Sequence, residues 1–261
     1  MTIFLLPPSE TKNSGVAKAK LNLKSLTFPE LTAQRENLID SLSSICENSP
    51  IKARTILGLS NKQDFERVRN VELKTASTGF AWQIYSGVLY DALNAQALSS
   101  AALKKLSTNV FVQSALFGLI SLGDRIAPYR LSADTKLPKI GSLANVWAKP
   151  CKEIFEHQNE LIVDLRSSQY VNLAPVPKSL NEQVLVIKIL QKMPSGPPKI
   201  ISHHNKATKG RIIRQVVTGS KVPSSAEQLA RVISKLGAEV ELPKLQRAGQ
   251  PQVMNVIVKT L

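Results

Sequence analysis

Thr2-Ile3-Phe4-Leu5-Leu6-Pro7-Pro8-Ser9-Glu10-Thr11-Lys12 is the stretch that decides the fold. A short apolar run without polar alternation reads as a strand buried on both faces, and the proline pair ends it. The strand runs straight into a polar loop. Hydroxyls at Ser9 and Thr11 with a lysine at position 12, all just past a strand end, suit an anion. A solvated surface loop is the competing reading.

Outward from this strand, the same kind of run recurs at 109–113, 161–165, 183–190, 199–203 and 253–259. Helical patterns lie between them. Thr27-Phe28-Pro29-Glu30 reads as a capping box opening a helix to about residue 47. Further helices are expected at 82–93, 97–106, 146–157 and 206–217. Another follows the Ser224-Ser225-Ala226-Glu227 cap and closes at Gly237. Gly118 and Gly123 read as loop punctuation, and 166–170 as a polar loop. Interleaved strands and helices give an α/β or α+β class, with a mixed central sheet and surrounding helices. No repeat or long linker divides the chain, so 1–261 reads as a single domain.

Embedded in it, 49–69 has the outline of a helix-hairpin-helix. Ser49-Pro50 starts one helix, Gly58-Leu59 makes the turn, and Ser60-Asn61-Lys62-Gln63 caps the next. Such a turn can present amides to a DNA backbone, whereas an ordinary helical corner has the same pattern.

The chain carries 34 Lys+Arg against 19 Asp+Glu, a net charge of +15. That excess points to polyanionic partners: DNA, RNA or nucleotide-like molecules. It is concentrated between Glu182 and Glu227, where no acid occurs and Lys188, Lys192, Lys199, Lys206, Lys209, Arg211, Arg214 and Lys221 stand unopposed. The window holds no aromatic residue, so phosphate contact is favoured over base stacking. Asn205 reads as the cap of the 206–217 helix. Lys206, Lys209 and Arg211 then load its first turns, where a bound anion would offset the unfavourable dipole.

Several classes fall away. No apolar run reaches the roughly 18–20 residues of a membrane span, and no secretory leader is recognised. The only cysteines are Cys46 and Cys151, which suits a reducing cytoplasm. Neither phosphate-binding glycine signature is present, and no zinc-ligand spacing occurs. His203 and His204, adjacent on an expected strand, would face opposite sides, so no metal site is expected and no cofactor is implied. Asp124, Tyr129 and Arg130 form a further polar cluster, in which Arg130 offers a planar fork for phosphate.

At these clusters the sequence resembles the YaaA peroxide-stress family. The carrying blocks are Leu5 to Lys12, Tyr85-Ser86-Gly87-Val88-Leu89-Tyr90 and Ser114-Ala115-Leu116-Phe117-Gly118-Leu119-Ile120. They continue with Asp124, Pro128-Tyr129-Arg130-Leu131, Asp164-Leu165-Arg166-Ser167-Ser168-Gln169-Tyr170 and Asn205-Lys206-Ala207-Thr208-Lys209-Gly210-Arg211. The resemblance implies a bacterial cytosolic protein of the hydrogen peroxide response, linked to lower free iron and less oxidative DNA damage. It also implies DNA binding through a helix-hairpin-helix beside a positive cleft. The matching motif positions are Lys12, Tyr85, Tyr90, Asp124, Tyr129, Arg130, Arg166, Tyr170, Lys206 and Lys209.

Two functions follow as expectations. The first is a binder of duplex DNA, largely nonspecific, through Ser9, Thr11, Lys12, Arg130, Arg166, Asn205, Lys206, Lys209, Arg211 and Arg214, with Gly58 and Ser60 at the hairpin. The second is an enzyme on a nucleotide or nucleic acid. There Lys12, Arg130, Lys206 and Lys209 would hold phosphate, and Asp124, Tyr85 or Tyr129 would move a proton. A partner-binding protein with incidental basicity is a third, weaker reading.

Overall fold

The computed structural model describes residues 2–200, 202–243 and 249–259. Among them, seven strands form one mixed sheet: β1 (Ile3–Leu6), β2 (Val110–Ser114), β3 (Gly118–Ser121), β4 (Ile162–Asp164), β5 (Val184–Gln191), β6 (Glu239–Glu241) and β7 (Gln252–Val258). Their order across the sheet is β6-β7-β5-β4-β1-β2-β3. β1 is buried throughout, as its unbroken apolar run requires. It pairs in parallel with β2 on one side and β4 on the other, and Leu5 stands beside both Phe111 and Asp164. β3 and β6 add antiparallel edges.

The helices are α1 (Thr32–Asn48), α2 (Pro50–Leu57), α3 (Asp64–Val71), α4 (Ala81–Ile84), α5 (Val88–Leu93), α6 (Ser100–Asn109), α7 (Leu143–Glu156), α8 (Ser168–Leu173), α9 (Ser202–Thr218) and α10 (Ala226–Ser234). The path from β1 leads through α1–α6 to β2 on one side, and the path from β4 leads to β5 on the other. The neighbouring strands β1 and β4 therefore send their connections in opposite directions. This makes a topological switch point at their carboxyl ends, the place where open α/β sheets receive ligands.

The α/β reading of the sequence holds, with differences that have local causes. The helix expected over 82–93 is two short ones, broken at Tyr85-Ser86-Gly87, where Gly87 takes φ 94°. Gly118 begins a strand instead of a loop. Its positive φ turns the chain back, and a side chain there would strike the Trp147 ring. The expected strand over 199–203 is absent. Lys199 makes one bridge to Gln191, and helix α9 already begins at Ser202. Ile201 lies outside the described residues. Asn205 is thus inside the helix and does not cap it, and Lys206 and Lys209 lie beyond the first turn. Since the dipole effect fades within that turn, it gives these cations no special role. Residues 168–173 are helical, and β6 had no clear sequence signal.

The Thr27 to Glu30 capping box is also absent. Phe28 sits in the left-handed region with no side-chain cap. The Thr27 hydroxyl instead donates to Asp124 Oδ1 (2.9 Å), and the Asp124 carboxylate also accepts the amides of Thr27 and Ser121. Burial pushes the Asp124 carboxyl up against these bonds. Beside it, Arg35 of α1 is fully buried and donates to four carbonyls: Phe117 (2.9 Å), Phe28 (3.1 Å), Thr27 (2.8 Å) and Leu119 (3.1 Å). One guanidinium thus ties α1 and the 27–28 turn to the β2–β3 hairpin.

Replacing Arg35 with methionine would leave these buried carbonyls without donors. We expect a loss of at least about 3 kcal/mol in urea unfolding. A loss under about 1 kcal/mol would show that Arg35 does not fasten these elements.

Candidate functional site

The loop after β1 brings Lys12 back across the carboxyl end of the sheet, where its backbone bridges to Tyr85 in the break between α4 and α5. The Ser86 amide donates to the Thr11 carbonyl across the same seam. The Lys12 side chain is buried. Its ammonium donates to the Ser9 carbonyl at 2.8 Å and lies 4.1 Å from the Tyr129 ring centre and 5.6 Å from that of Tyr85. Burial lowers its pKa to about 7, with Glu10 opposing and Arg130 reinforcing the shift.

A phenol network surrounds this ammonium. The Tyr85 and Tyr129 hydroxyls are 3.1 Å apart, and Ser114 Oγ, at the end of β2, is 2.8 Å from Tyr129. Tyr90 donates to the Pro7 carbonyl at 2.8 Å, and its ring lies 5.2 Å from that of Tyr85. Burial raises all these phenols, Tyr85 to about 12 and Tyr90 and Tyr129 well above the usual value. Tyr170 on α8 is raised as well, by burial and by Glu10. They are therefore hydrogen-bond donors at neutral pH, not phenolates.

Arg130 follows Tyr129. Both its backbone groups are fastened to Asn70, a fully buried residue of α3: its amide donates to Asn70 Oδ1 and its carbonyl accepts from Nδ2, each at 2.8 Å. The guanidinium meets the Glu10 carboxylate at 2.9 Å. From the β4 end, Arg166 is saturated by Asp164 (2.7 Å) and by the Ala174 carbonyl (2.7 Å).

Helix α9 forms another wall. Gly210 lets it touch α5, for a Cβ there would lie 2.1 Å from the Leu89 carbonyl oxygen. One turn on, Arg214 Nη1 donates to the carbonyls of Leu93 and Asn94. Both contacts hold α9 against α5. Lys209 reaches the Arg166 carbonyl at 3.5 Å, and burial lowers its pKa to about 8, against the pull of Asp164. Ser86 Oγ, Arg130 Nε and Asn205 Oδ1 are buried without a hydrogen-bond partner.

The structure thus gathers Ser9, Lys12, Tyr85, Tyr90, Tyr129, Arg130, Arg166, Tyr170 and Lys209 at the carboxyl end of the sheet. Asp124 is not among them. It lies with Ser121 at the other end of the β2–β3 hairpin, held by Thr27. Arg166 and Arg214 have their guanidinium groups committed to carbonyls or Asp164, while Thr11, Lys206 and Arg211 are exposed.

The 49–69 unit is a helix–turn–helix in outline, but its turn amides are occupied. Those of Gly58, Leu59 and Ser60 donate to the Thr55 carbonyl, the Arg54 carbonyl and Gln63 Oε1. This leaves none of the three to grip phosphate. Asn70, Ser114 and Glu10 were not singled out as site residues. Glu10 and Ser114 stand inside blocks that carry the resemblance but were given no role there, and a buried asparagine such as Asn70 has no spacing signature.

Both cysteines are buried, and burial raises their thiols, that of Cys151 to about 11. No helix among the described residues is long and apolar enough to cross a membrane.

The Lys12 amine is more costly to bury when charged, so its lowered pKa has a sign. The unfolded chain holds this proton up to about pH 10, whereas the folded chain releases it near 7. Folding stability therefore rises with pH across that window, by up to about 1.4 kcal/mol per pH unit from this group. Urea unfolding of Lys12→Met should show a shallower rise from pH 7 to 9 than the parent. Parallel curves would contradict the assignment.

The model of the family described as peroxide stress protein YaaA matches residues 1–237. A UPF0246 protein of Streptomyces coelicolor is 36% identical over 258 residues, spanning 98% of each chain. One of Corynebacterium efficiens is 38% identical over 260 residues, covering 98% of this chain and 100% of the relative. An uncharacterized protein of Campylobacter jejuni is 28% identical over 240 residues, 89% and 91% of the two chains. The blocks that meet around Lys12 lie within the matched region, and the chain belongs to the YaaA peroxide stress protein family.

Proposed function

We propose that this family member serves the peroxide response by binding duplex DNA through its phosphates, limiting oxidative DNA damage and free iron. The observation that supports this reading is the topological switch point at the carboxyl ends of β1 and β4. Arg130 and the buried amine of Lys12 lie there, and Lys206 and Arg211 are exposed on the helix that walls it. Lys188, Lys192, Lys199 and Lys221 are also exposed and add to the positive charge of the surface. In this reading the grip comes from side-chain cations and not from the amides of the 58–60 turn.

A second reading is an enzyme on a nucleotide or nucleic acid. It is favoured by one arrangement: the buried Lys12 amine, its pKa lowered by burial to about 7, lies 4.1 Å over the ring of Tyr129, whose phenol burial keeps protonated. An amine in this setting can exchange a proton with a ligand near neutral pH. Asp124 has no part in it.

Fluorescence anisotropy with a labelled duplex over a salt series tests the binding reading. With around six phosphate contacts, log K against log salt should fall with a slope near −5. The Lys206→Ala/Arg211→Ala variant should lower the slope by about 2. Affinity that stays flat as salt rises would overturn the reading.

A further inference from the structure

Between the carboxyl end of α2 and the 130–136 segment lies a cavity of about 510 Å³. That volume is within the range of small-molecule sites. Its lining mixes both signs: Arg130 and Lys136, the hydroxyl residues Ser132 and Thr135, the Asp134 carboxylate, and Thr55, Ile56 and Leu57 at the end of α2. The Arg54 and Thr55 carbonyls there already accept from Leu59 and Gly58. The cations and hydroxyls offer donors to an oxyanion, and Asp134 offers an acceptor to hydroxyl or N–H groups.

Three features mark the Arg130 wall as a prepared site. The backbone of Arg130 is locked at both its N–H and C=O by buried Asn70. Its Nε is buried without a partner. Its remaining fork is paired with an anion from the chain itself: one carboxylate oxygen of Glu10 lies 2.9 Å from Arg130 Nη1 and accepts a hydrogen bond from Ser132 Oγ (3.0 Å). The Glu10 side chain is half exposed, so it can swing away into water. A carboxylate bridging a guanidinium and a hydroxyl occupies the place that a phosphate oxygen would take.

We propose that this cavity binds a nucleoside monophosphate, whose phosphate displaces the Glu10 carboxylate from Arg130 and Ser132. The phosphate has acceptor oxygens for the guanidinium, the Ser132 and Thr135 hydroxyls and Lys136. The ribose hydroxyls and base N–H groups supply donors for Asp134. Glu10 is then an internal competitor that sets the affinity. The inference rests on the reading of Arg130 as an anion binder and does not require duplex DNA as partner.

Calorimetric titration of the full chain with AMP, inorganic phosphate and adenosine tests it. The parent should bind AMP, and Glu10→Gln should bind it about fivefold or more tighter, because the neutral amide competes poorly for a guanidinium. Arg130→Gln should weaken binding at least tenfold. Should that variant fail to fold, the exposed Lys136→Ala should still weaken it about threefold. AMP binding absent from both parent and Glu10→Gln would overturn the proposal. So would an unchanged affinity in Glu10→Gln, or phosphate alone binding as tightly as AMP. Duplex binding measured on the same samples separates the two readings. AMP bound without duplex rejects only the DNA reading, and duplex bound without AMP rejects only this one.

Discussion

A cation has to be kept away from water at the carboxyl end of the central strand, and the surroundings are shaped by that requirement. Among the described residues, the ammonium of Lys12 has no buried acid as a close partner. It is held by a carbonyl three residues back and by the faces of two tyrosines. Those tyrosines stay in place through each other and through Ser114 at the end of β2. Tyr85 is available only because the helix breaks at Tyr85-Ser86-Gly87. Helix α9 reaches the same point only because Gly210 carries no side chain. Partial compensation by carbonyl and ring faces leaves the amine easier to deprotonate than a surface lysine. A group with a movable proton thus lies at a neutral pH crossing, which a surface lysine could not provide.

Much of this was legible in the sequence. The apolar run ending in Pro7-Pro8 gave the central strand, and the polar residues behind it are those that form the site. The hidden parts depend on contacts between distant segments. The break at 85–87 sits within a run with good helical periodicity, and only the backbone pairing with Lys12 decides it. Thr27 matches a capping box in sequence, yet its hydroxyl finds Asp124, 97 residues away, before it can cap. Asp124 looked like chemistry because it stands close to Tyr129 and Arg130 in the chain. In space, a hairpin separates them.

The charge pattern misled in an instructive way. The acid-free window from 183 to 226 suggested one phosphate patch, but its cations divide by role. Arg214 caps the carbonyls at the end of α5, and Lys209 is buried against Arg166. Lys188, Lys192, Lys199, Lys206, Arg211 and Lys221 stay at the surface. Guanidinium groups are especially prone to such structural use, because five donors in a plane can satisfy several carbonyls at once. Arg35, Arg166 and Arg214 are all employed in that way. Arg130 differs, since its acidic partner among the described residues is a half-exposed carboxylate that water can receive.

The central claim is that ligand anions are received at the carboxyl end of the parallel strands and not at the 58–60 turn. Amide chemical-shift mapping with a short duplex at low salt tests it most directly. The account predicts that the perturbed amides gather in 9–13, 85–90, 129–136 and 205–211, segments far apart in sequence and joined around Lys12. Perturbations confined to 49–69, with the Lys12 surroundings unchanged, would contradict it.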